Sequence, residues 1–189
     1  MKIQKILKIK VLILLLVLAG CASPRFQPIP GEYQVENGWV VLRTDSLIIM
    51  LKPQHYRSPN GTYQNRSFSL YIRAQNIAKQ NVALPAGSFQ LLADGKQYSP
   101  FSTEMLLSGY PIYYDLAWQD PFNQSPEALR ARQNWEDDRY SLIADSFGMG
   151  EILSGGKKEG YLFYHEAVAR AQKLELDVLG TRISFSKTK

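Results

Sequence analysis

The sequence predicts a mainly β chain, an antiparallel β-sandwich interrupted by one amphipathic helix. Three observations carry this expectation. Short β-rich runs recur from Trp39 to Tyr98 and again from Gly150 to Phe185, turn residues part them, and a single stretch repeats its apolar residues at helical spacing. With 45% hydrophobic and 12% aromatic residues in 189, the chain has ample material for one packed core.

Trp39–Arg43 and Leu47–Leu51 are β-rich runs parted by the turn Thr44-Asp45-Ser46, and residues 53–64, containing Ser58-Pro59-Asn60-Gly61, form a loop. Phe68, Leu70 and Ile72 then alternate with Ser69, Tyr71 and Arg73, as in a strand with one buried face. Asn81–Leu84 and Phe89–Leu92 are shorter strands, and Asp94-Gly95 before Lys96–Tyr98 is a hairpin turn that requires positive φ. At the far end a turn at Ser154–Lys157 leads into Gly160–His165. Leu174, Leu176 and Val178 alternate with polar residues, Gly180 turns the chain, and Ile183 and Phe185 alternate again. Seven or eight short strands with turn chemistry between them argue for a sandwich of immunoglobulin-like type. The pattern of Asn76 after a strand, Phe89 through Gly95, Tyr98, Gly155-Gly156 and Gly160-Tyr161-Leu162-Phe163 resembles the immunoglobulin-like domains of small bacterial envelope lipoproteins. That resemblance spans Trp39–Tyr98 and Gly150–Phe185, and it implies a fold and no activity.

Residues 100–148 depart from the pattern. Ser125-Pro126-Glu127 is a helix start, with a hydroxyl cap, proline at the first helical position and an acid near the positive end of the dipole. Ala128, Ala131, Trp135 and Leu142 repeat at helical spacing, so one helix is expected from Pro126 to Ile143. Ahead of it Tyr110, Tyr113, Tyr114, Trp118 and Phe122 put five rings in thirteen residues. Aromatic residues are enriched at interface cores, which makes these five the candidate contacts for a protein or glycan, although packing onto the sandwich is the commoner use of such rings.

The amino-terminal residues 1–20 have the layout of an export signal. Lys2, Lys5, Lys8 and Lys10 precede the apolar run Val11–Leu18, which is shorter than the roughly 20 residues a membrane-spanning helix needs. Leu18-Ala19-Gly20-Cys21 resembles the lipobox of bacterial lipoproteins. The resemblance implies a signal-peptide helix removed between Gly20 and Cys21, lipid on the Cys21 thiol and attachment to a membrane. Ala22 after the cysteine resembles the class sorted to the outer membrane, facing the periplasm. Residues 21–38, rich in proline and without periodicity, read as the lipidated cysteine and a flexible tether, although the part around Tyr33 and Val35 can also pack as an edge strand. Residues 39–189 are then the sandwich domain with its insertion.

Composition narrows the function. Four of the 22 basic residues and none of the 17 acidic ones lie in residues 1–20, so the remainder carries a formal charge of +1 and lacks the basic bias of a nucleic-acid binder. Cys21 is the sole cysteine, which removes disulfides, cysteine zinc sites and a thiol nucleophile inside the domain. His55 and His165 stand apart without a ligand pattern, and Glu136-Asp137-Asp138 reads as a solvated helix face rather than a cation loop. Ser154-Gly155-Gly156-Lys157 matches a serine–lysine formula only by letters. Asn60, Asn65 and Asn123 begin formal glycosylation sequons and receive no role. No catalytic residue, metal or cofactor is expected. The leading expectation is a non-enzymatic binding or assembly module for another envelope component. The alternative is a glycan-binding or hydrolytic protein that uses residues 104–122, with Glu104, Asp115 or Asp120 as its acids.

Overall fold

The computed structural model describes residues 26–61, 67–108 and 125–188. Strands β1 (Phe26–Pro28), β2 (Gln34–Glu36), β3 (Trp39–Arg43), β4 (Leu47–Pro53), β5 (Phe68–Asn76) and β6 (Val82–Leu84) come first, followed by β7 (Phe89–Ala93) and β8 (Lys96–Tyr98). After two helices come β9 (Gly150–Ile152), β10 (Lys157–Tyr164), β11 (Lys173–Val178) and β12 (Thr181–Lys187). One sheet has the order β10-β5-β4-β3-β2, the other β1-β12-β11-β7-β8, and β6 and β9 form a separate ribbon. All these pairings are antiparallel.

The two five-stranded sheets stack as the expected β-sandwich because each presents one apolar face. Val40, Ile49, Leu51, Leu70 and Ile72 meet Phe89, Leu91, Leu174, Leu176, Ile183 and Phe185 in a single core. Full burial of each such side chain contributes about 1.5–3 kcal/mol relative to exposure. The hairpin at Asp94-Gly95 takes φ of 47° and 84°, the positive values that its sequence demands.

The tether expected through Gly38 ends sooner. From Phe26 the chain is sheet: β1 pairs with β12 and β2 with β3 through a turn at Asn37-Gly38. Phe26 is buried, its ring edge-on to Phe68 at 5.5 Å, and the Tyr33 hydroxyl donates to the carbonyl of Ile29 and accepts from Ser184 N–H. β2 is the edge strand allowed around Tyr33 and Val35, whereas β1 was concealed: three residues are too few to show alternation, and at a sheet edge Pro28 removes no ladder bond. The strand expected at residues 81–84 forms at Val82–Leu84, but it joins neither five-stranded sheet and pairs with β9, while Leu84 and Ile152 still enter the common core.

A buried polar tie fixes that ribbon. Asn76 is fully buried; its Nδ2 donates to the carbonyls of Gln80 (2.8 Å), Ile152 (2.9 Å) and Leu153 (3.2 Å), while Oδ1 accepts from Ala78 N–H (2.9 Å). Ser154 adds a second link, donating its N–H to Asn81 Oδ1 and its hydroxyl to the Ala78 carbonyl.

Asn76→Ala should therefore cost roughly 2–3 kcal/mol, because it strands several buried groups at once. Urea unfolding checks this, and a loss below about 0.5 kcal/mol would show the tie to be dispensable. A second expectation concerns alkaline pH. Burial pushes the Tyr164 hydroxyl well above its ordinary pKa, whereas the unfolded tyrosine ionises near pH 10. Its contribution is thus complete below about pH 10 and drains as pH rises past that value. Tyr164→Phe should move the alkaline unfolding limb to higher pH while costing about 1 kcal/mol at neutrality for the lost bond to the Phe89 carbonyl. An unmoved alkaline limb in a pH series of thermal melts would contradict this.

Candidate functional site

Strand β10 is buried on both faces at its carboxyl end, and this divides the outer face of the first sheet into a covered and an uncovered part. Leu162 and Tyr164 enter the sandwich core, while Phe163 points outward into a second cluster with Tyr56, Leu106 and Leu142. The cover comes from the insertion, as helices α1 (Thr103–Ser108) and α2 (Pro126–Asp145). Ser125 caps α2, its side chain accepting from Ala128 N–H at 3.2 Å, and proline occupies the first turn as the sequence indicated. The expected apolar face is the one turned inward: Ala128 and Leu142 are buried and Ala131 and Trp135 half-buried.

Gly160 lets α2 dock. A side chain there would lie 2.6 Å from the Asp145 carbonyl oxygen and 2.8 Å from Phe147 N. Beyond the helix, Phe147 N–H donates to the Tyr161 carbonyl at 2.8 Å, and Ser146 makes a parallel bridge to Tyr161. The acidic face expected at Glu136-Asp137-Asp138 is divided. Glu136 and Asp137 are exposed, but Asp138 is fully buried and accepts from Asn60 N–H at 2.7 Å, which ties loop 54–61 to the helix. Three consecutive helical residues span 200°, so they cannot all share one face.

The rest of the outer face stays uncovered, with Tyr161 at the margin packing on the covered cluster, and its side chains fall in rows across the strands. Lys52, Tyr71 and Tyr161 stand opposite one another on β4, β5 and β10, and Trp39 continues the row on β3. Val41, Met50, Arg73 and Glu159 make the next row, and Arg43, Ile48, Gln75 and Lys157 the third. Trp39 meets Tyr71 edge-on at 5.9 Å, and Tyr71 lies 4.8 Å from Tyr161. Lys52 Nζ sits 4.5 Å and the Arg73 guanidinium 5.2 Å from the centre of the Trp39 ring. Arg73 also pairs with Glu159 at 2.9 Å. A groove of about 420 Å³ runs over Ile48 and Met50 between Arg73, Gln75 and Lys157. The face sets the cations Arg43, Lys52, Arg73 and Lys157 against the carboxylates of Glu159 and of Glu36, which stands opposite Trp39 on β2. It is an apolar floor with a basic rim.

The site residues read from sequence are distributed otherwise. Gly20 and Cys21, the rings Tyr110, Tyr113, Tyr114, Trp118 and Phe122, and the acids Asp115 and Asp120 lie outside the described residues. Glu104 is exposed near the start of α1, where its own backbone N–H and the Ser102 hydroxyl hold its carboxyl below the usual range. His55 and His165 are exposed, and no group of three or more metal-ligating side chains gathers among the described residues. The outer-face rows escaped the sequence reading, although one signal for them was present. Trp39-Val-Val-Leu and Leu47-Ile-Ile-Met-Leu are apolar at both alternating positions, the mark of strands with two apolar faces.

Comparison with family models, curated proteins and solved structures gave no match.

If the outer rings belong to a surface and not to the core, Trp39→Ala should cost only about 1–2 kcal/mol, with each cation contact contributing about 0.5–1 kcal/mol. Denaturant unfolding measures this. A loss above about 3 kcal/mol would mark Trp39 as a core residue and end the case for a free face.

Proposed function

We propose that this chain is a lipid-anchored, non-enzymatic assembly module of the bacterial envelope, whose uncovered sheet face docks a protein segment bearing both apolar side chains and carboxylates. The observation that carries the reading is the face itself: half-buried Trp39, Val41, Ile48, Met50 and Tyr71, rimmed by four cations. Apolar surface framed by polar groups is the usual form of an interaction site, and tryptophan, methionine and arginine are enriched in such interfaces. A basic rim selects an acidic partner and speeds its approach. The lipobox-like Leu18-Ala19-Gly20-Cys21 supports the anchor, and Ala22 supports the periplasmic side of the outer membrane as its address.

A protein segment fits this face better than a glycan. Lys52 and Arg73 already occupy the Trp39 ring, and Trp39 and Tyr71 meet at 63°, so the pair offers no flat platform on which a sugar ring can stack.

A photoreactive amino acid at Met50 of the full chain in its native envelope should yield one discrete protein adduct. Arg73→Glu combined with Lys52→Glu should abolish that adduct in a protein that still melts cooperatively, a few degrees lower for the lost contacts on Trp39 and the lost pair with Glu159. An adduct indifferent to charge reversal, or none from a folded protein, would overturn the docking face.

A further inference from the structure

We infer that the sandwich rests on the lipid surface through the end formed by β1, the carboxyl end of β12 and a short helix α3 (Ala167–Arg170), where Arg170, Lys173 and Lys187 meet headgroup phosphates. The inference builds on the anchor at Cys21 proposed above and adds which surface of the domain meets the bilayer. Its basis is the length of chain available. Phe26 is the fifth residue after Cys21, and five residues fully extended reach roughly 18 Å. Phe26 itself is fixed: it is buried, it pairs with Lys187, and its ring packs on Phe68. The domain cannot gain reach by peeling β1 away without exposing that ring and breaking the ladder to β12. A lipidated Cys21 therefore holds this end within a short distance of the headgroups.

The side chains gathered there suit that neighbour. Lys187 Nζ lies 6.0 Å from the Phe26 ring centre and donates to the Ala169 carbonyl, so strand end, first ring and α3 form one unit. The Arg170 and Lys173 side chains are 75% and 58% exposed, paired with Glu166 and Glu175. Exposed pairs of this kind are weak, which leaves both cations able to take a phosphate oxygen. Three carboxylates stand at the same end, Glu166, Glu175 and Asp94, the last accepting from the Gln172 and Lys173 N–H groups, so the attraction is that of individual cations to headgroup phosphates within about a Debye length.

The opposite end is held away. Asn76 is eight residues along β5 from Phe68, a distance of about 26 Å at 3.3 Å per residue, and Leu153, bonded to Asn76, is exposed there. The docking groove, bordered by Gln75 and Lys157, belongs to this far end.

The test uses the full lipidated chain on vesicles of phosphatidylethanolamine and phosphatidylglycerol that carry a headgroup-attached quencher. A fluorophore is placed on Gln27→Cys in one preparation and Leu153→Cys in another, the Cys21 thiol being blocked by its lipid. Flotation of wild type and Cys21→Ser accompanies the quenching. The expected result is flotation lost in Cys21→Ser and quenching at position 27 at least threefold that at position 153. Lys173→Glu with Lys187→Glu should halve the quenching at position 27. A floating protein quenched equally at both positions would overturn the proposed orientation while leaving the anchor intact. Strong quenching at position 27 that ignores the charge reversal would overturn the phosphate contacts. Flotation unchanged by Cys21→Ser would overturn the anchor and this inference with it.

Discussion

The empty space at Gly160 governs the outer half of the molecule. Because no side chain occupies it, the end of α2 reaches the backbone of β10, Ser146 and Phe147 bond alongside Tyr161, and Phe163 gains a cover. A strand at a sheet edge ordinarily exposes a row of unpaired groups that invites association. Here the helix terminus takes up part of that row. The opposite edge is left to β2, three exposed residues long, and short edge strands are poor templates for aggregation. What α2 covers and what it leaves bare follow from one glycine and the position of one helix end.

The polar ties complete this arrangement with side chains that are costly to bury. Asp138 reaches from α2 to the backbone of Asn60, and Tyr56 donates from beneath the helix to Asp145 at 3.3 Å. An apolar contact can slide, whereas these bonds admit one register of helix on strand. The loop 54–61 is held by the same device from the other side, where the Ser69 hydroxyl donates to the Gln54 carbonyl and accepts from Tyr56 N–H. The covered region thereby becomes rigid support for the uncovered one, in which rings and cations on four strands keep a fixed spacing. Docking on such a surface involves little reorganisation, and affinity benefits from groups already ordered.

Legibility in the sequence followed length and periodicity. β5, β11 and β12 were evident because Leu70, Ile72, Leu174, Leu176, Ile183 and Phe185 alternate over enough residues to define a face. The helix was evident from Ser125-Pro126-Glu127 and from Ala128, Ala131, Trp135 and Leu142. β2 was legible only as the alternative edge strand around Tyr33 and Val35, and β1 was not legible, since three residues cannot display a period and its neighbours are prolines. Asp138 was misassigned because charge alone does not reveal that a backbone N–H from a distant loop will arrive to satisfy it. The candidate surface was the least legible. Tyr71 and Arg73 were read only as the polar side of a strand, and the fact that Trp39, Met50 and Tyr161 join them depends on register between strands far apart in sequence. The aromatic cluster at residues 110–122 drew notice because its rings are adjacent in the chain, whereas those at Trp39, Tyr71 and Tyr161 are adjacent only in space.

The pairing of β1 with β12 also dictates an order of events. A chain made from its amino end delivers Phe26 early and Lys187 about 160 residues later, and the entropy of closing so large a loop must be met before the pair yields any return. Topologies of this kind fold slowly. Until Thr181–Lys187 arrives, the edge of β11 stays open and Phe26, although its ring can meet Phe68, has no strand to pair with. The sandwich therefore closes last at its first strand, and a nascent chain must be kept from neighbouring chains for as long as that seam stands open.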